Sequence, residues 1–336
     1  MTAVPVIEQL SEEQASWYAS TFDRIVDNVG KAVVGKTGVI RLVVTALLAG
    51  GHVLLEDYPG TGKTQLARSL AQTLRATSSR IQFTPDLLPS DVTGVSIYDQ
   101  EKKTFEFHPG PIFANVVLAD EINRASPKTQ SALLEVMEEG RVTAEGRTHE
   151  VGEPFIVLAT QNPIEQAGTY ALPEAQLDRF LIKTSVGYPD HDSTVAILTG
   201  SAVRDRAGEL RAVVTAEVVS EMVRMSSRVH VDAAIADYIS RLVTATRTAA
   251  GVEVGVSVRG ALALVRCAKT WAASQGRGYV LPDDVRELAE PVLGHRMVME
   301  AEAQFDGATA AGALGTVLEE IEPPAHRQLA GDHGRS

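Results

Sequence analysis

Short apolar runs alternate with longer segments of helical spacing through the first half of the chain. The runs, which predict strands, are residues 53–55, 80–84, 116–119, 155–159 and 181–186. Between them, apolar residues recur about every 3.6 positions, as in residues 37–49 and 126–139, which predicts amphipathic helices. The four apolar residues at 116–119 fit a central parallel strand that is covered on both faces. The pattern therefore predicts an α/β fold for this half.

The remainder of the chain shows mainly the helical period. Residues 8–30 predict one helix, with an apolar face formed by Trp17, Phe22, Ile25 and Val26. Beyond a break at residues 188–190, helices are predicted at residues 192–200, 215–229, 232–249, 259–275, 282–293 and 308–321. The predicted domains are a helical arm (1–30), a core (31–189), a helical domain (190–322) and a disordered tail (323–336).

Two segments of the core alternate apolar and polar residues around polar turns. One is residues 94–113, and the other is residues 141–151, which turns at Glu145 and Gly146. Both patterns are typical of β-hairpins. For the first hairpin, an insertion between sheet and helix and a plain surface hairpin are both consistent with the pattern.

A glycine-rich turn lies between the first predicted strand and a predicted helix. Residues 57–64 read DYPGTGKT and match the phosphate-binding pattern G-x-x-x-x-G-K-[ST] except at the first position, which is Asp57. Glycines let backbone N–H groups point at an anion, and the helix directs its positive end at the same place. We expect Lys63 to reach the β- and γ-phosphates of a nucleotide and the Thr64 hydroxyl to hold Mg²⁺. The residues predicted to bind the phosphates are Pro59, Gly60, Thr61, Gly62, Lys63, Thr64 and Gln65.

Two carboxylates end the third predicted strand. Asp120 and Glu121 directly follow residues 116–119, and ligands bind at the carboxyl ends of strands in open α/β sheets. Asp120 is the candidate that completes the Mg²⁺ shell with Thr64, and Glu121 is the candidate that orients and polarises an attacking water. A solvated acidic strand end is the alternative, but the phosphate loop upstream favours the catalytic interpretation.

Two further candidates depend on position along the chain. Val33, Val34 and Gly35 lie one helix upstream of the phosphate loop, where an adenine ring could bind, although core packing explains them equally well. Asn162 follows the fourth predicted strand, and its amide could accept a hydrogen bond from water and donate one to phosphate. The alternative for Asn162 is a cap on the turn before Pro163.

Composition and charge indicate a globular protein and exclude some functions. The chain has 336 residues, enough for two domains, and its 44% hydrophobic and 22% charged residues are typical of soluble globular proteins. The formal net charge of −12 argues against a duplex-binding surface. The single cysteine, Cys267, lies in an apolar helical run, which favours a core position. Residues 1–16 lack a basic start and the apolar stretch 42–55 is too short to span a bilayer, so we expect a cytoplasmic protein.

The order of these motifs resembles one family. The strings EDYPGTGKT, VVLADEINRA, LATQNP, LPEAQLDRF and VSVRGALAL are similar to those of MoxR-type AAA+ ATPases, over about residues 30–300. The resemblance is specific, because LPEAQLDRF and ADEINRA are much rarer strings than a phosphate loop. The departures are Asp57 at the first glycine position of the loop and Val258 before Arg259.

The resemblance implies a five-stranded parallel αβα core and a smaller all-α lid, with ATP bound between them. The hairpins would be the helix-two and pre-sensor-1 inserts of a clade that includes magnesium-chelatase motor subunits. Asn162 matches sensor 1, Arg179 matches the arginine finger that acts on a neighbouring subunit's ATP, and Arg259 matches sensor 2, which contacts the γ-phosphate in its own subunit. The alternatives are an ion pair of Arg179 with Asp178 or Glu174, and a solvated Arg259.

The expected function is Mg²⁺-dependent ATP hydrolysis coupled to remodelling of a protein client. The family resemblance implies a homo-oligomer, typically a hexamer, and a partner that carries a von Willebrand factor A domain. Two other functions compete with this one. A nucleic-acid motor is disfavoured by the acidic charge, and a scaffold that binds ATP with negligible turnover is disfavoured by the set Glu121, Asn162, Arg179 and Arg259.

Overall fold

The computed structural model describes residues 9–58, 60–162, 169–199 and 205–324. The helices are α1 (Glu12–Gly30), α2 (Thr37–Leu48), α3 (Lys63–Thr73), α4 (Pro89–Thr93), α5 (Pro127–Glu139), α6 (Glu174–Leu177), α7 (His191–Thr199), α8 (Ala216–Ser227), α9 (Ala233–Thr246), α10 (Val258–Ser274), α11 (Pro282–Leu293), α12 (Ala301–Phe305) and α13 (Ala310–Glu320). The strands are β1 (Val53–Glu56), β2 (Ser78–Gln82), β3 (Gly94–Asp99), β4 (Thr104–Pro109), β5 (Val116–Asp120), β6 (Arg141–Ala144), β7 (Arg147–Glu150), β8 (Ile156–Gln161), β9 (Ile182–Thr184), β10 (Val252–Val254) and β11 (Val298–Met299).

Some sequence predictions concern residues outside these ranges. They are the phosphate-loop residue Pro59, the turn residue Pro163, the first residues of the helical arm and the tail from residue 325 onward.

Five parallel strands form one sheet in the order β2-β5-β8-β1-β9. β5 and β8 lie inside the sheet, and all five residues of β5 are buried, as the near-continuous apolar run requires. Alternate strand residues, such as Leu54, Val117 and Val157, share one buried cluster with Leu133 of α5. The predicted α/β fold with five parallel strands is confirmed.

The chain divides into two compact units, Arg24–Ser220 and Met1–Asp23 with Glu221–Ser336, called here the core unit and the lid unit. The predicted boundary at residue 189 lies inside the core unit. The reason is a set of contacts made by residues 190–220. Arg68 pairs with Asp205 at 2.8 Å, and the backbone N–H of Val213 donates to the Thr73 carbonyl at 3.0 Å. Residues of the predicted arm up to Asp23 group with the lid unit, and the helical arm stays a prediction.

Both predicted hairpins are present. β3 pairs with β4 and β6 pairs with β7, each antiparallel. The first hairpin is anchored at its base and exposed at its end, since Phe107 packs on the buried cluster while Phe105 is 56% exposed. The Phe107 ring stacks on His149 of the second hairpin, with ring centroids 4.0 Å apart. The two hairpins are therefore in direct contact.

The lid unit is mainly helical, as predicted, with one addition. β10 and β11 form a two-stranded antiparallel ladder that the helical pattern did not predict, because two or three residues are too few to show a period. Cys267 is buried in α10, and burial raises the pKa of its thiol to about 12. This places Cys267 in the core of the unit, as expected, and makes it a poor nucleophile.

One residue predicted for the apolar face of the first helix was wrong. Trp17 is 42% exposed, and its neighbour Tyr18 is fully buried in its place. The helical stripe of α1 runs through Tyr18, Phe22 and Ile25, which leaves position 17 beside it. Burial also raises the pKa of the Tyr18 hydroxyl far above its usual value.

Within the described ranges, none of the helices combines the length and the apolar character needed to cross a bilayer.

The base of the first hairpin generates a stability prediction. Gly94 has φ 97°, and a Cβ there would lie 2.3 Å from the His108 carbonyl oxygen and 2.6 Å from the Gly110 nitrogen, both backbone atoms. We expect Gly94→Ala to lower the free energy of unfolding by about 3 kcal/mol, because strain and a collision add. The measurement is urea unfolding followed by circular dichroism.

Gly140→Ala is the matched control. Gly140 has φ 66°, but apart from its own chain neighbours no atom lies within 4 Å of the position that an added methyl group would take, so only the strain of about 1 kcal/mol applies. Equal losses for the two variants would show that the hairpin base is not closely packed.

Candidate functional site

The phosphate loop connects β1 to α3 in the predicted geometry. Gly60 has φ 85° and Gly62, which caps α3, has φ 92°, a backbone conformation that strains residues with a side chain. These two residues direct the loop so that α3 begins at Lys63. The Lys63 ammonium lies 3.2 Å from the Asp57 carbonyl oxygen and 3.3 Å from that of Tyr58. The lysine therefore lies over its own loop, where an anion would bind.

Asp57, the departure from the glycine pattern, has a structural role. The residue is 3% exposed, and its carboxylate accepts three hydrogen bonds, from Ser185 Oγ (2.8 Å), the Val186 N–H (2.7 Å) and the Gly187 N–H (2.8 Å). The bonds join the loop to the segment that follows β9. A glycine could not make them, so the aspartate fixes the start of the loop by another means. The motif pattern showed only a mismatch here, because the partners are distant in sequence.

A cavity of about 360 Å³ lies against the loop. Its lining residues are Ala32, Val33, Val34, Lys36, Gly60, Thr61, Gly62, Gln65, Pro189, Ile197, Leu198 and Arg206. The structure thus brings Val33 and Val34 to the phosphate loop, as the adenine hypothesis requires. Gly35 instead allows a close approach, since a Cβ there would lie 2.0 Å from Ser193 Oγ. The α7 side of the cavity was not predicted, because its apolar residues carry no motif.

The acidic pair lies at the carboxyl end of β5 and is held by neighbouring strands. Asp120 Oδ1 accepts from the Thr160 hydroxyl at 2.7 Å, and Oδ2 accepts from Arg80 Nη2 at 2.6 Å. Glu121 has φ 58°, and its N–H donates to Thr160 Oγ1 at 2.9 Å. Thr160 therefore bonds to both acidic residues and fixes their relative positions.

The Glu121 carboxylate accepts hydrogen bonds from two side chains. Gln82 Nε2 donates to Glu121 Oε2 at 3.0 Å, and Arg124 Nη1 donates to the same oxygen at 2.7 Å. Arg80 Nη2 also donates to Gln82 Oε1 at 2.8 Å, so a chain of hydrogen bonds connects the two carboxylates. Neither arginine was singled out from sequence.

The donor set fits Mg²⁺ bound together with phosphates. Thr64, the second residue of α3, and Asp120 supply a hydroxyl and a carboxylate, the oxygen ligands that Mg²⁺ prefers. In the part of the chain that the structure describes, no group of three or more His, Cys, Asp or Glu side chains could hold a metal. Mg²⁺ usually takes only one or two protein ligands and completes its shell with phosphate and water.

The other predicted site residues lie in different places. Asn162 directly follows β8, the neighbour of β5, and so lies at the same edge of the sheet as Asp120. Arg179 donates to the Leu134 carbonyl at 2.8 Å and pairs with Glu138 at 3.2 Å, both on α5. The ion-pair partners expected for Arg179 as the alternative to a finger were Asp178 and Glu174. The observed partner, Glu138, was not predicted. Arg259 is exposed at the second position of α10, in the lid unit.

Two family models match the chain. The model described as "ATPase family associated with various cellular activities (AAA)" matches residues 52–182, and the AAA lid domain matches residues 244–314. Among relatives, Chaperone MoxR1 of Mycobacterium tuberculosis is 39% identical over 90% of this chain and 82% of its own length. Protein MoxR of Paracoccus denitrificans is 33% identical over 80% of this chain and 85% of its own length. The chain belongs to the MoxR family of AAA ATPases.

Two further comparisons extend along nearly the whole MoxR-family chain. Protein YeaC of Bacillus subtilis, which has no described function, is 48% identical over 90% of this chain and 95% of its own length. The crystal structure of a Cytophaga hutchinsonii protein proposed to be an ATPase has a TM-score of 0.87 and 39% identity. It covers 94% of this chain and 98% of that one. The resemblance inferred from the motifs is confirmed, and membership of this ATPase family implies nucleotide binding.

The three hydrogen bonds of the Asp57 carboxylate to residues 185–187, called here the Asp57 tether, lead to a second stability prediction. We expect Asp57→Ala to lower the free energy of unfolding by about 2–4 kcal/mol, because it leaves the buried Val186 N–H and its neighbour without an acceptor. Urea unfolding of the full chain provides the measurement.

Asp99→Ala is the comparison variant. Asp99 also accepts from two backbone N–H groups, those of Glu101 and Lys102, but at an exposed hairpin turn where water can replace it. Its loss should be below about 1 kcal/mol. An Asp57→Ala protein that unfolds at the wild-type urea concentration would contradict the tether.

Proposed function

We propose that this MoxR-family protein is a Mg²⁺-dependent ATP hydrolase that acts as a homo-oligomeric remodeller of protein clients. The observation that supports it is the convergence of three features at one edge of a parallel sheet. β1 leads into the phosphate loop, β5 ends at Asp120 with Glu121 next, and Asn162 directly follows β8. Parallel strands place their carboxyl ends together, where nucleotides bind in open α/β sheets.

Nucleotide binding would use the cavity and the loop together. The adenine ring would contact Val33, Val34 and the α7 residues Ile197 and Leu198 in the apolar part of the cavity. The phosphates would bind the loop N–H groups and the N-terminus of α3. Lys63 would exchange its hydrogen bonds to the two loop carbonyl oxygens for bonds to phosphate oxygens. The new bonds would be stronger, because the phosphate oxygens carry negative charge.

Hydrolysis would depend on the acidic pair. Thr64 and Asp120 would hold Mg²⁺, which supplies neutralisation of the charge that develops on the phosphates. Glu121 would orient the attacking water, and Asn162 would help to place it. The Thr160 hydroxyl donates to the Asp120 carboxylate and accepts from the backbone N–H of Glu121, so Thr160 holds one carboxylate and the backbone of the residue that carries the other.

Arg179 would act on the ATP of a neighbouring subunit. Its side chain is 30% exposed and pairs with Glu138, itself 42% exposed, so the contact is one that solvent weakens. The proposal therefore requires Arg179 to exchange a local acceptor for a phosphate oxygen. A finger supplied in trans makes turnover dependent on assembly. The role of Arg259 stays a prediction from the family motif.

Client and assembly are proposed from relatives. The M. tuberculosis protein is named a chaperone, which supports action on protein clients. A hexamer and a client with a von Willebrand factor A domain follow from the family resemblance. A cytoplasmic location is supported by the single cysteine, which forms no internal disulfide.

Glu121→Gln tests the chemistry. We expect ATP binding to be retained and hydrolysis to fall about 10²–10⁴-fold, because the amide cannot accept a proton from water. Calorimetry measures binding, and phosphate release measures turnover. Glu139→Gln, at an exposed residue paired with Arg141, should leave both unchanged. Turnover that does not depend on Glu121 would favour a scaffold that merely binds ATP.

Arg179→Ala tests the shared site. Alone it should bind ATP normally but lose about 10³-fold or more in turnover, whereas Lys63→Ala should lose ATP binding. Mixing the two variants should restore activity, because the intact pocket of one faces the intact arginine of the other. A mixture of Lys63→Ala with Glu121→Gln has no intact pocket and should stay inactive. Failure of the first mixture to recover, with assembly confirmed by light scattering, would contradict action in trans.

A further inference from the structure

An arginine contacts the carboxylate that the proposed function assigns to Mg²⁺. Arg80 lies on β2 and Asp120 on the adjacent β5, where parallel pairing sets Gln82 opposite Asp120. This register lets the Arg80 side chain reach Asp120 Oδ2, with a separation of 2.6 Å from Nη2. The Asp120 side chain is 13% exposed and that of Arg80 is 52% exposed. A charge-assisted hydrogen bond therefore covers the outer side of a largely buried acid.

The other oxygen of Asp120 is held by a neutral donor. Oδ1 accepts from the Thr160 hydroxyl, and that hydrogen bond is buried. The orientation of the carboxylate is thus fixed from inside the sheet, without the arginine. The contribution of Arg80 is mainly its positive charge, placed on the same carboxylate that Mg²⁺ would need. Two cations on one carboxylate repel each other, most strongly where water is partly excluded.

Arg80 has a second acceptor beside the first. The same Nη2 lies 2.8 Å from Gln82 Oε1, so the guanidinium keeps a hydrogen bond when it leaves Asp120. An ion pair with a half-exposed arginine is also weak, because solvent screens it and hydrates the released cation. Exchange of Arg80 for a divalent ion is therefore feasible without disturbing the strand.

We infer that Arg80 competes with Mg²⁺ for Asp120 and so lowers the affinity of the nucleotide site for the metal. Arg80 acts through Asp120: it neutralises the carboxylate between cycles and leaves it when Mg²⁺ arrives with the nucleotide. The inference rests on the proposed function, since it concerns the metal of that reaction. If Arg80 only held Asp120 in the orientation that binds Mg²⁺, the opposite result would be expected, because removing Arg80 would then weaken Mg²⁺ binding.

The test measures binding and does not depend on turnover. The wild-type chain is titrated with Mg²⁺ in the presence of a fluorescent, non-hydrolysable ATP analogue, and the half-saturating Mg²⁺ concentration is read from the fluorescence. We expect Arg80→Gln to lower this concentration about three- to tenfold, because a competing charge at a partly exposed position is removed. Arg80→Lys keeps the charge but offers a single ammonium in place of the planar fork, so its value should fall between the two.

Arg141→Gln is the matched control for net charge. The Arg141 side chain is 50% exposed and pairs with one carboxylate, Glu139, on the hairpin side of the core unit. Its removal changes the net charge by the same amount and should leave the half-saturating Mg²⁺ concentration unchanged. A parallel titration of the analogue without Mg²⁺ shows whether nucleotide affinity itself has moved.

The outcomes separate the inference from the proposed function. A wild-type chain whose analogue binding does not respond to Mg²⁺ contradicts the proposed function. If the wild-type chain responds to Mg²⁺ but Arg80→Gln has an unchanged or raised half-saturating Mg²⁺ concentration, the competition is overturned. The proposed function is not affected by that result. If circular dichroism shows that Arg80→Gln does not fold, Arg80→Lys provides the test. A half-saturating Mg²⁺ concentration of Arg80→Lys at or above that of the wild type overturns the inference.

Discussion

Parallel pairing of β1, β5 and β8 is the constraint on which the site depends. Each strand ends in a different chemical group, and only a common direction brings the ends to one edge. The pairing is itself bound to burial, since all five residues of β5 are buried and the strand must stay inside the sheet to keep both of its faces covered. The geometry of the site is therefore fixed by the same hydrophobic burial that stabilises the core.

Polar groups at this edge are held by partners from other strands. Asp57 accepts from the segment after β9, and Thr160 of β8 bonds to both residues at the end of β5. Glu56 pairs with Lys183 at 2.9 Å. Buried polar groups need such partners, because an unsatisfied one is costly. The site residues thus have little freedom to rearrange, whereas the half-exposed arginines that contact Asp120 and Glu121 have more.

Local patterns predicted much of the fold and site, and distant contacts explain the rest. The phosphate loop, the Asp120–Glu121 pair and both hairpins are signalled by adjacent residues. Arg80 could not be found this way, because only the β2–β5 register brings it to Asp120. The contacts of Asp205 with Arg68 and of Val213 with Thr73 could not be predicted either, because these partners are far apart in sequence. Trp17 was wrong by a single helical position, where a period cannot distinguish neighbours.

The stacked rings of Phe107 and His149 have a mechanical consequence. They join two hairpins that are separate in sequence and that extend from different parts of the core unit. Aromatic stacking resists separation of the rings, and the base of the first hairpin is closed by backbone contact at Gly94. A displacement of one hairpin at this point is therefore coupled to the other through a single ring contact, which contributes about 1 kcal/mol.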